Sequence, residues 1–172
     1  KRVARMLDGY GALYVTGVTL AILQPGGRER LFSAMGRAHA ARRLVAFDSN
    51  YRPRLWPDQD TAREAFRRAC SVSNIVLPSL DDEIALFGDA DAAVCAARIA
   101  ALGPEEVVVK DGPRGCLLHT SEGSLPVPCQ NVVTPVDTTA AGDGFNAAYL
   151  WARMRGLPPR RAAEAGHRLA AA

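Results

Sequence analysis

The stretch Leu44–Pro78 reads LVAFDSNYRPRLWPDQDTAREAFRRACSVSNIVLP, and its rhythm changes twice. Leu44–Asp48 (LVAFD) is a short apolar run, the pattern of a buried strand. A loop follows, with Asn50, Tyr51, Arg52 and two prolines, a composition that neither a helix nor a central strand accepts. Asp60–Val72 has helical spacing, with Asp60 or Thr61 as the expected cap. Asn74–Leu77 (NIVL) is a second strand, stopped by Pro78. Two strands joined through a helix are the minimal unit of a parallel sheet, because a parallel pair needs a crossover connection.

The alternation continues in both directions. Upstream, Ala12–Val18 (ALYVTGV) reads as a buried strand, and Arg28–Arg43 as a helix with Leu31, Met35 and Ala38 on one face. Downstream, Ser79–Phe87 begins with acidic residues, as the positive end of a helix dipole favours. Ala90–Ala101 is a further helix, ended by Gly103-Pro104. Glu106–Lys110 (EVVVK) is a strand, and Gly115–Thr120 and Ser124–Pro128 form two more around a turn at Glu122-Gly123. Ala141–Arg155 and Pro159–Ala171 close the chain as helices. The expected fold is α/β, a three-layer α/β/α arrangement with a mostly parallel sheet and helices on both faces. Short connections predict one compact unit over residues 1–172.

Composition narrows the function. The 172 residues carry a net charge of +3, spread along the chain rather than gathered in a block, which argues against a nucleic-acid partner. No apolar run reaches the roughly 20 residues of a membrane span, and no signal-peptide pattern is present, so no membrane partner is expected. Cys70, Cys95, Cys116 and Cys129 match no zinc or redox spacing and read as reduced, mostly buried thiols of a cytoplasmic protein. Among 21 basic residues only Lys1 and Lys110 are lysines, which singles out Lys110. His39 and His119 read as structural or surface residues, and His167 as a weak ligand candidate. A chain that starts at Lys1 rather than Met is expected to be a fragment or a processed product.

In open α/β sheets, ligands bind beyond the carboxyl ends of the strands. The polar residues cluster there: Asp48, Asn50 and Arg52 after one strand, Ser79 and Asp82 after the next, Lys110 at the end of EVVVK. Asp137–Leu150 reads DTTAAGDGFNAAYL, in which Ala140, Ala141 and Gly142 lead into an apolar helix. Small side chains let a phosphate approach the backbone, and the first amides of a helix lack internal partners and attract an anion. Such a turn stabilises charge during phosphoryl transfer. Asp143 at the same helix start has two readings, a helix cap or a general base that takes a proton from an attacking hydroxyl. Arg52 offers a bidentate fork to a carboxylate or phosphate, and Asn50 offers both a donor and an acceptor.

DTTAAGDGFNAAYL resembles the C-terminal signature of the ribokinase/PfkB family of carbohydrate kinases, although Ala140 stands where many members have Gly, and Gly144 where Ser or Ala is common. FDSNYRPRLW (Phe47–Trp56), LPSLDDE (Leu77–Glu83) and YVTGVTLAIL (Tyr14–Leu23) resemble its 2-keto-3-deoxygluconate kinase branch. VVVKDGPRGC (Val107–Cys116) resembles the family's VKxGxxG segment. The resemblance implies ATP and Mg2+ as cofactors and a sugar or sugar acid as substrate. It implies Asp143 as catalytic base at the substrate hydroxyl and Arg52 on the acid sugar, near ATP. The nucleotide side would be lined by Asn50, Tyr51, Ser79, Lys110, Gly112 and Gly115, with Ala140, Ala141 and Gly142 as the anion hole. Ser79 and Asp82 replace the family's Asn and Glu in its Asn-x-x-Glu region, so no metal ligand is assigned. The resemblance also implies that residues 1–172 are the C-terminal, ATP-binding part of a longer enzyme, without the sugar-binding segment and the lid that supports dimers in many members, and that this part alone is weakly active or inactive. Rival expectations are a ribokinase or fructokinase, a non-catalytic nucleotide-binding module, and a dinucleotide-dependent dehydrogenase. The last is disfavoured because no G-x-G-x-x-G follows the first strand.

Overall fold

The computed structural model describes residues 9–129 and 140–171. Asp137, Thr138 and Thr139, which open the DTTAAGD stretch, lie outside the described residues.

Six strands form one sheet in sequential order. They are β1 (Ala12–Thr16), β2 (Leu44–Asp48), β3 (Ile75–Val76), β4 (Glu106–Lys110), β5 (Cys116–Thr120) and β6 (Gly123–Val127). β1 to β4 are parallel and β4–β5–β6 antiparallel. Between the parallel strands run α1 (Gly17–Ile22), α2 (Pro25–Ala40), α3 (Gln59–Ser71), α4 (Leu80–Phe87) and α5 (Ala92–Ala100). After β6 come α6 (Ala141–Met154) and α7 (Pro159–Ala170).

Alternation along each strand sorts the core into two halves. Leu13, Val15, Val45, Phe47, Val76, Val107 and Val109 pack with residues of α1 to α5. Ala46, Ile75, Leu77 and Val108 point the other way, toward Phe145, Tyr149 and Ala152 of α6 and Ala162 and Ala163 of α7. A sequential strand order with crossovers of one hand places every crossover helix on one face, which leaves the second face to α6 and α7. This is the expected three-layer α/β/α fold. In α7, a Cβ on Gly166 would come within 2.7 Å of the Phe145 ring, so only glycine lets the two helices sit this close.

Three local expectations change. The strand expected over Ala12–Val18 ends at Thr16, whose hydroxyl accepts from the Thr19 amide at 3.2 Å and starts α1. Gly17 permits that turn, since a Cβ there would fall 1.9 Å from the Ser49 carbonyl oxygen. The cap of α3 is Asp58, not Asp60 or Thr61: its carboxylate accepts from the Thr61 amide at 2.7 Å. The helix expected from Arg28 starts earlier, because Pro25 has the fixed φ that suits a first helical position.

Candidate active site

The carboxyl ends of β1, β2 and β4 and the amino end of α6 meet in one polar network. Asp48 ends β2 and is buried. One of its oxygens, Oδ1, accepts from the Lys110 ammonium at 3.2 Å. The other, Oδ2, accepts from Asn146 Nδ2 at 2.9 Å and from the Tyr14 hydroxyl at 3.2 Å. Asn146 Nδ2 also donates to the Tyr14 hydroxyl at 3.0 Å, and Asn146 Oδ1 accepts from Lys110 at 3.1 Å. Burial, and then the Asp48 charge, push the Tyr14 hydroxyl pKa well above its ordinary value, so it stays protonated and donates.

Lys110 is held by backbone as well. Its amide donates to the Pro78 carbonyl at 2.8 Å, and Lys110 forms a parallel bridge with Ser79, which extends the β3–β4 pairing beyond the two-residue strand. The Lys110 ammonium therefore stops directly below α6: a Cβ built on Gly142 would stand 3.9 Å from Nζ.

Helix α6 starts from Ala140, which has φ +66°, a left-handed conformation that an L-residue adopts at a cost of about 1–2 kcal/mol. Its first internal bond runs from the Gly144 amide to the Ala140 carbonyl at 2.8 Å. The amides of Ala141, Gly142 and Asp143 precede that ladder, as the geometry of a helix start requires. Ala140, Gly142 and Asp143 are exposed. The Asp143 charge reaches the Tyr14 hydroxyl and adds to its upward shift. A carboxylate, free helix amides and a fixed ammonium thus share one helix mouth, the arrangement for receiving a phosphate beside a proton acceptor.

The loop after β2 borders this mouth. Asn50 has φ +32°, a second non-glycine residue in strained backbone at the site. Tyr51 is buried, with its ring edge-on to Phe66 at 6.0 Å. What Tyr51 presents to the site is backbone: its amide donates to Asp82 Oδ2 at 2.9 Å, and its carbonyl accepts from Arg52 Nη1 at 2.9 Å. Burial raises the Asp82 pKa, against the Tyr51 amide and the positive charges of Arg52 and Lys110. Arg52 is exposed. Trp56 packs edge-on to Phe66 at 5.7 Å and buries the end of the loop.

Gly112 and Gly115 flank the turn after β4, at φ +54° and +101°. Gly112 is open to solvent, whereas a Cβ on Gly115 would strike the Val127 carbonyl oxygen at 2.3 Å. Gly115 therefore packs β5 against the end of β6. His119 bonds Ser124 across the β5–β6 hairpin. His167 is buried, its Nε2 donates to the Val127 carbonyl at 3.1 Å, and burial lowers its pKa, which is the environment of a neutral structural imidazole.

Behind the loop, Arg98 bonds Glu83 at 2.7 Å and Asp89 at 2.6 Å. Burial pushes the Glu83 carboxyl up to about 7. Glu83, Asp89 and Cys95 have ligand atoms within 4.8 Å of one another. The guanidinium of Arg98 already occupies the cation's place in that cluster, so it is a buried ion-pair network. Cys70, Cys95 and Cys116 are buried free thiols and Cys129 is partly exposed. No described helix is long and apolar enough to cross a membrane.

Sequence reasoning missed Tyr14 and Asn146. Asn146 lies inside the quoted DTTAAGDGFNAAYL stretch, and the signal available was its place four residues after Gly142, on the same helical face. Tyr14 opens the quoted YVTGVTLAIL stretch, but nothing local marked its hydroxyl, because its partners come from β2 and from the helix above the sheet.

Residues 7–172 match the family model described as pfkB family carbohydrate kinase. The chain is 38% identical over 168 residues to 2-dehydro-3-deoxygluconokinase of Escherichia coli, covering 96% of this chain and 54% of that protein. It thus spans about half the length of the curated relatives it matches. Among solved structures it resembles a PfkB protein from Polaromonas, with TM-score 0.88 and 30% identity over 98% of this chain and 55% of the other. It also resembles aminoimidazole riboside kinase of Salmonella enterica, solved with aminoimidazole riboside and an ATP analogue, with TM-score 0.82 and 25% identity over 93% of this chain and 55% of the other.

Proposed function

The chain belongs to the pfkB family of carbohydrate kinases, and from that premise we propose that it forms the nucleotide-binding and proton-accepting part of an ATP-dependent kinase. Its proposed substrate is the terminal hydroxyl of 2-keto-3-deoxygluconate (2-dehydro-3-deoxygluconate is the same compound). The observation that carries the reading is the mouth of α6, where Asp143 lies in the first turn and the Lys110 ammonium stands 3.9 Å from the Cβ position of Gly142.

In the proposed reaction the sugar hydroxyl loses its proton to Asp143 as its oxygen attacks the γ-phosphorus of ATP. The bond from that phosphorus to the bridging oxygen breaks and ADP leaves. The amides of Ala141, Gly142 and Asp143 and the Lys110 ammonium meet the charge on the transferred group. Arg52 holds the carboxylate of the acid sugar, since an anionic substrate needs a fixed cation and a guanidinium matches a carboxylate in two bonds. Asn50, Ser79, Gly112 and the backbone of Tyr51 border the nucleotide. Gly115 closes the turn that carries Gly112, its amide donating to the Gly112 carbonyl at 3.2 Å.

Magnesium, bound with the nucleotide, supplies charge neutralisation on the phosphates. The residues present fit a loose, water-mediated hold. Among the described carboxylates, Asp48 is committed to Lys110, Asn146 and Tyr14, and Glu83 to Arg98, whereas Asp82 spends Oδ2 on the Tyr51 amide. Asp82 therefore keeps Oδ1 as one acceptor for metal-bound water. The protein is proposed to work in the cytoplasm on a small-molecule substrate and, in its full length, to use a lid supplied from outside these residues.

The test is ADP release by the full-length protein with Mg-ATP and 2-keto-3-deoxygluconate, compared with fructose and ribose. The reading expects turnover with the acid sugar and its loss in Arg52→Ala, with nucleotide affinity largely kept. Turnover with neutral sugars alone would move the assignment to a fructokinase or ribokinase, and ATP binding without turnover on any sugar would leave a binding module.

A further inference from the structure

We propose that Asn146 is a positioning residue for phosphoryl transfer, which holds the Lys110 ammonium under the mouth of α6 with one N–H kept available for an anion. This rests on the kinase reading above and adds to it a residue for which that reading has no role.

The donor and acceptor capacity of each group fixes the network. Lysine only donates and carboxylate only accepts, so the orientation of the Asn146 amide is set by chemistry: Oδ1 faces Lys110 at 3.1 Å, and Nδ2 faces Asp48 at 2.9 Å. Both Nδ2 hydrogens are used, the second on the Tyr14 hydroxyl at 3.0 Å. Asn146 is 1% exposed, so water does not substitute for these bonds.

Without Asn146, Asp48 would face Lys110 with both oxygens less occupied, and the ammonium would be free to swing into a closer pair with it. With Asn146 present, the two neutral donors, Asn146 and Tyr14, occupy Oδ2, and Lys110 binds through Oδ1 alone at 3.2 Å. Among the described residues the ammonium then has two of its three N–H groups engaged, one on Asp48 and one on Asn146. The third has room above it because position 142 is glycine. Gly142 and Asn146 are four residues apart, so the helix stacks them on one face, with the absent side chain directly over the asparagine. Lys110 is only 11% exposed, so the position of its ammonium is set by these two partners and by the Ser79 bridge of its backbone.

The groups that face this network are Tyr14 of β1, Asp48 of β2, Lys110 of β4, Cys116 of β5, which lies in register with Lys110 and senses its charge, and Asp143 of α6, with Asp82 of α4 close enough to sense both Asp48 and Lys110. That arrangement gives a signature beyond simple destabilisation. In Asn146→Asp the new carboxyl, when protonated, accepts from Lys110 and donates to Asp48, and so replaces two of the three bonds. When ionised it puts a second negative charge beside one ammonium and draws Lys110 away from the helix mouth.

The experiment measures the affinity of the full-length protein for ADP and for the imido analogue of ATP by calorimetry, with kcat and KM for ATP alongside. Asn146→Leu is expected to weaken nucleotide binding about tenfold, the equivalent of one buried hydrogen bond left unmade. Asn146→Asp is expected to bind near wild-type affinity at low pH and to lose affinity relative to wild type as pH rises and the new carboxyl, its pKa raised by burial and by the Asp48 charge, ionises. Tyr149→Phe, in the same helix but at the far end of β4, serves as the structural control and should lower the melting temperature without moving affinity. Asn146 is merely structural, and the proposal fails, if its variants lower the melting temperature as Tyr149→Phe does while nucleotide affinity and the pH profile stay at wild type. If Asn146→Leu does not fold, the pH profile of Asn146→Asp decides alone. A wild-type protein that binds nucleotide but transfers no phosphoryl group would sink the kinase reading, and the affinity measurements would still decide whether Asn146 positions Lys110.

Discussion

Helix α6 is tied to strand β4 at both ends, and the two ties differ. At the amino end of β4, Glu106 is buried and accepts from the Tyr149 hydroxyl at 2.7 Å and from Arg153 Nε at 3.0 Å, while Arg153 also reaches the Leu157 carbonyl. This end is closed: one buried carboxylate receives a guanidinium and a phenol, and the guanidinium's remaining reach goes to backbone of the same helix terminus. At the carboxyl end, Lys110 is shared between Asp48 and Asn146 and stops below a glycine at the helix mouth. The same strand and helix therefore carry one tie whose groups saturate one another and one whose ammonium has two partners among the described residues, its third N–H being the donor proposed for an anion. Arginine suits the first, because its planar fork saturates a carboxylate. Lysine suits the second, because three donors on a point charge can be divided between two protein partners and one ligand.

The two ends differ most at Asp143, which only the open end has. Asp143→Asn in the full-length protein should lower kcat about 10²–10⁴-fold, the range of general acid–base catalysis. Its melting temperature should hardly move, because Asp143 is exposed. A variant with near wild-type turnover would remove the base from the mechanism. The two ties should next separate under matched truncations. Glu106→Ala leaves the Arg153 charge and the Tyr149 hydroxyl without their partner and should destabilise by about 3 kcal/mol in chemical denaturation, with the KM for ATP kept. Lys110→Met should instead raise the KM for ATP about tenfold or more, as loss of a charge-assisted contact does. Equal effects of both variants on stability and on KM would erase the distinction between the ends.

pH sharpens the contrast from behind the site. The folded Glu83 carboxyl titrates near 7, above the ordinary 4.5, because of burial. A raised carboxyl binds its proton more tightly in the folded state, so its contribution to stability is full below pH 4.5 and is lost as pH rises through 7. Melting temperature measured from pH 5 to 8 should fall more steeply in wild type than in Glu83→Gln, and parallel curves would refute this. The smallest effect is expected at Ala140. Its φ of +66° favours glycine, so Ala140→Gly should change stability by no more than about 1 kcal/mol, relief of strain being offset by the freedom glycine gains when unfolded. Nucleotide affinity should be retained, and a large loss would show that the Ala140 methyl group itself has a role at the mouth.

Much of the fold was legible because its signals are local. The apolar runs LVAFD and EVVVK became β2 and β4 with the expected bounds, since a strand buried on both faces reads as a continuous apolar stretch. Helix starts were less legible. Asp58, Asp60 and Thr61 all have capping chemistry, and only the path of the chain after Pro57 decides which carboxylate faces the free amides. At the site, Asp143, Lys110, Arg52 and the small residues of the helix mouth stood out by residue type and by position after strand ends. Gly115 and Tyr51 stood out for the same reason, yet one is tightly packed against β6 and the other turns its ring into the core. Residue type does not say which way a side chain points when the backbone leaves the strand.

Periodicity, turn residues and the polar strand ends determined from sequence alone that this chain is an α/β sheet with a helix that starts on small residues, because each of those signals depends on neighbours within one or two turns of chain. Only the tertiary structure decided which four residues share one hydrogen-bond network, with Asp48 and Asn146 buried, Lys110 partly so and Tyr14 reaching in from the exposed side, and that Lys110 ends beneath Gly142 rather than in solvent. The reason is distance along the chain: Tyr14 and Asn146 are 132 residues apart, and no local pattern specifies a contact that forms only when the sheet and the helix above it have packed.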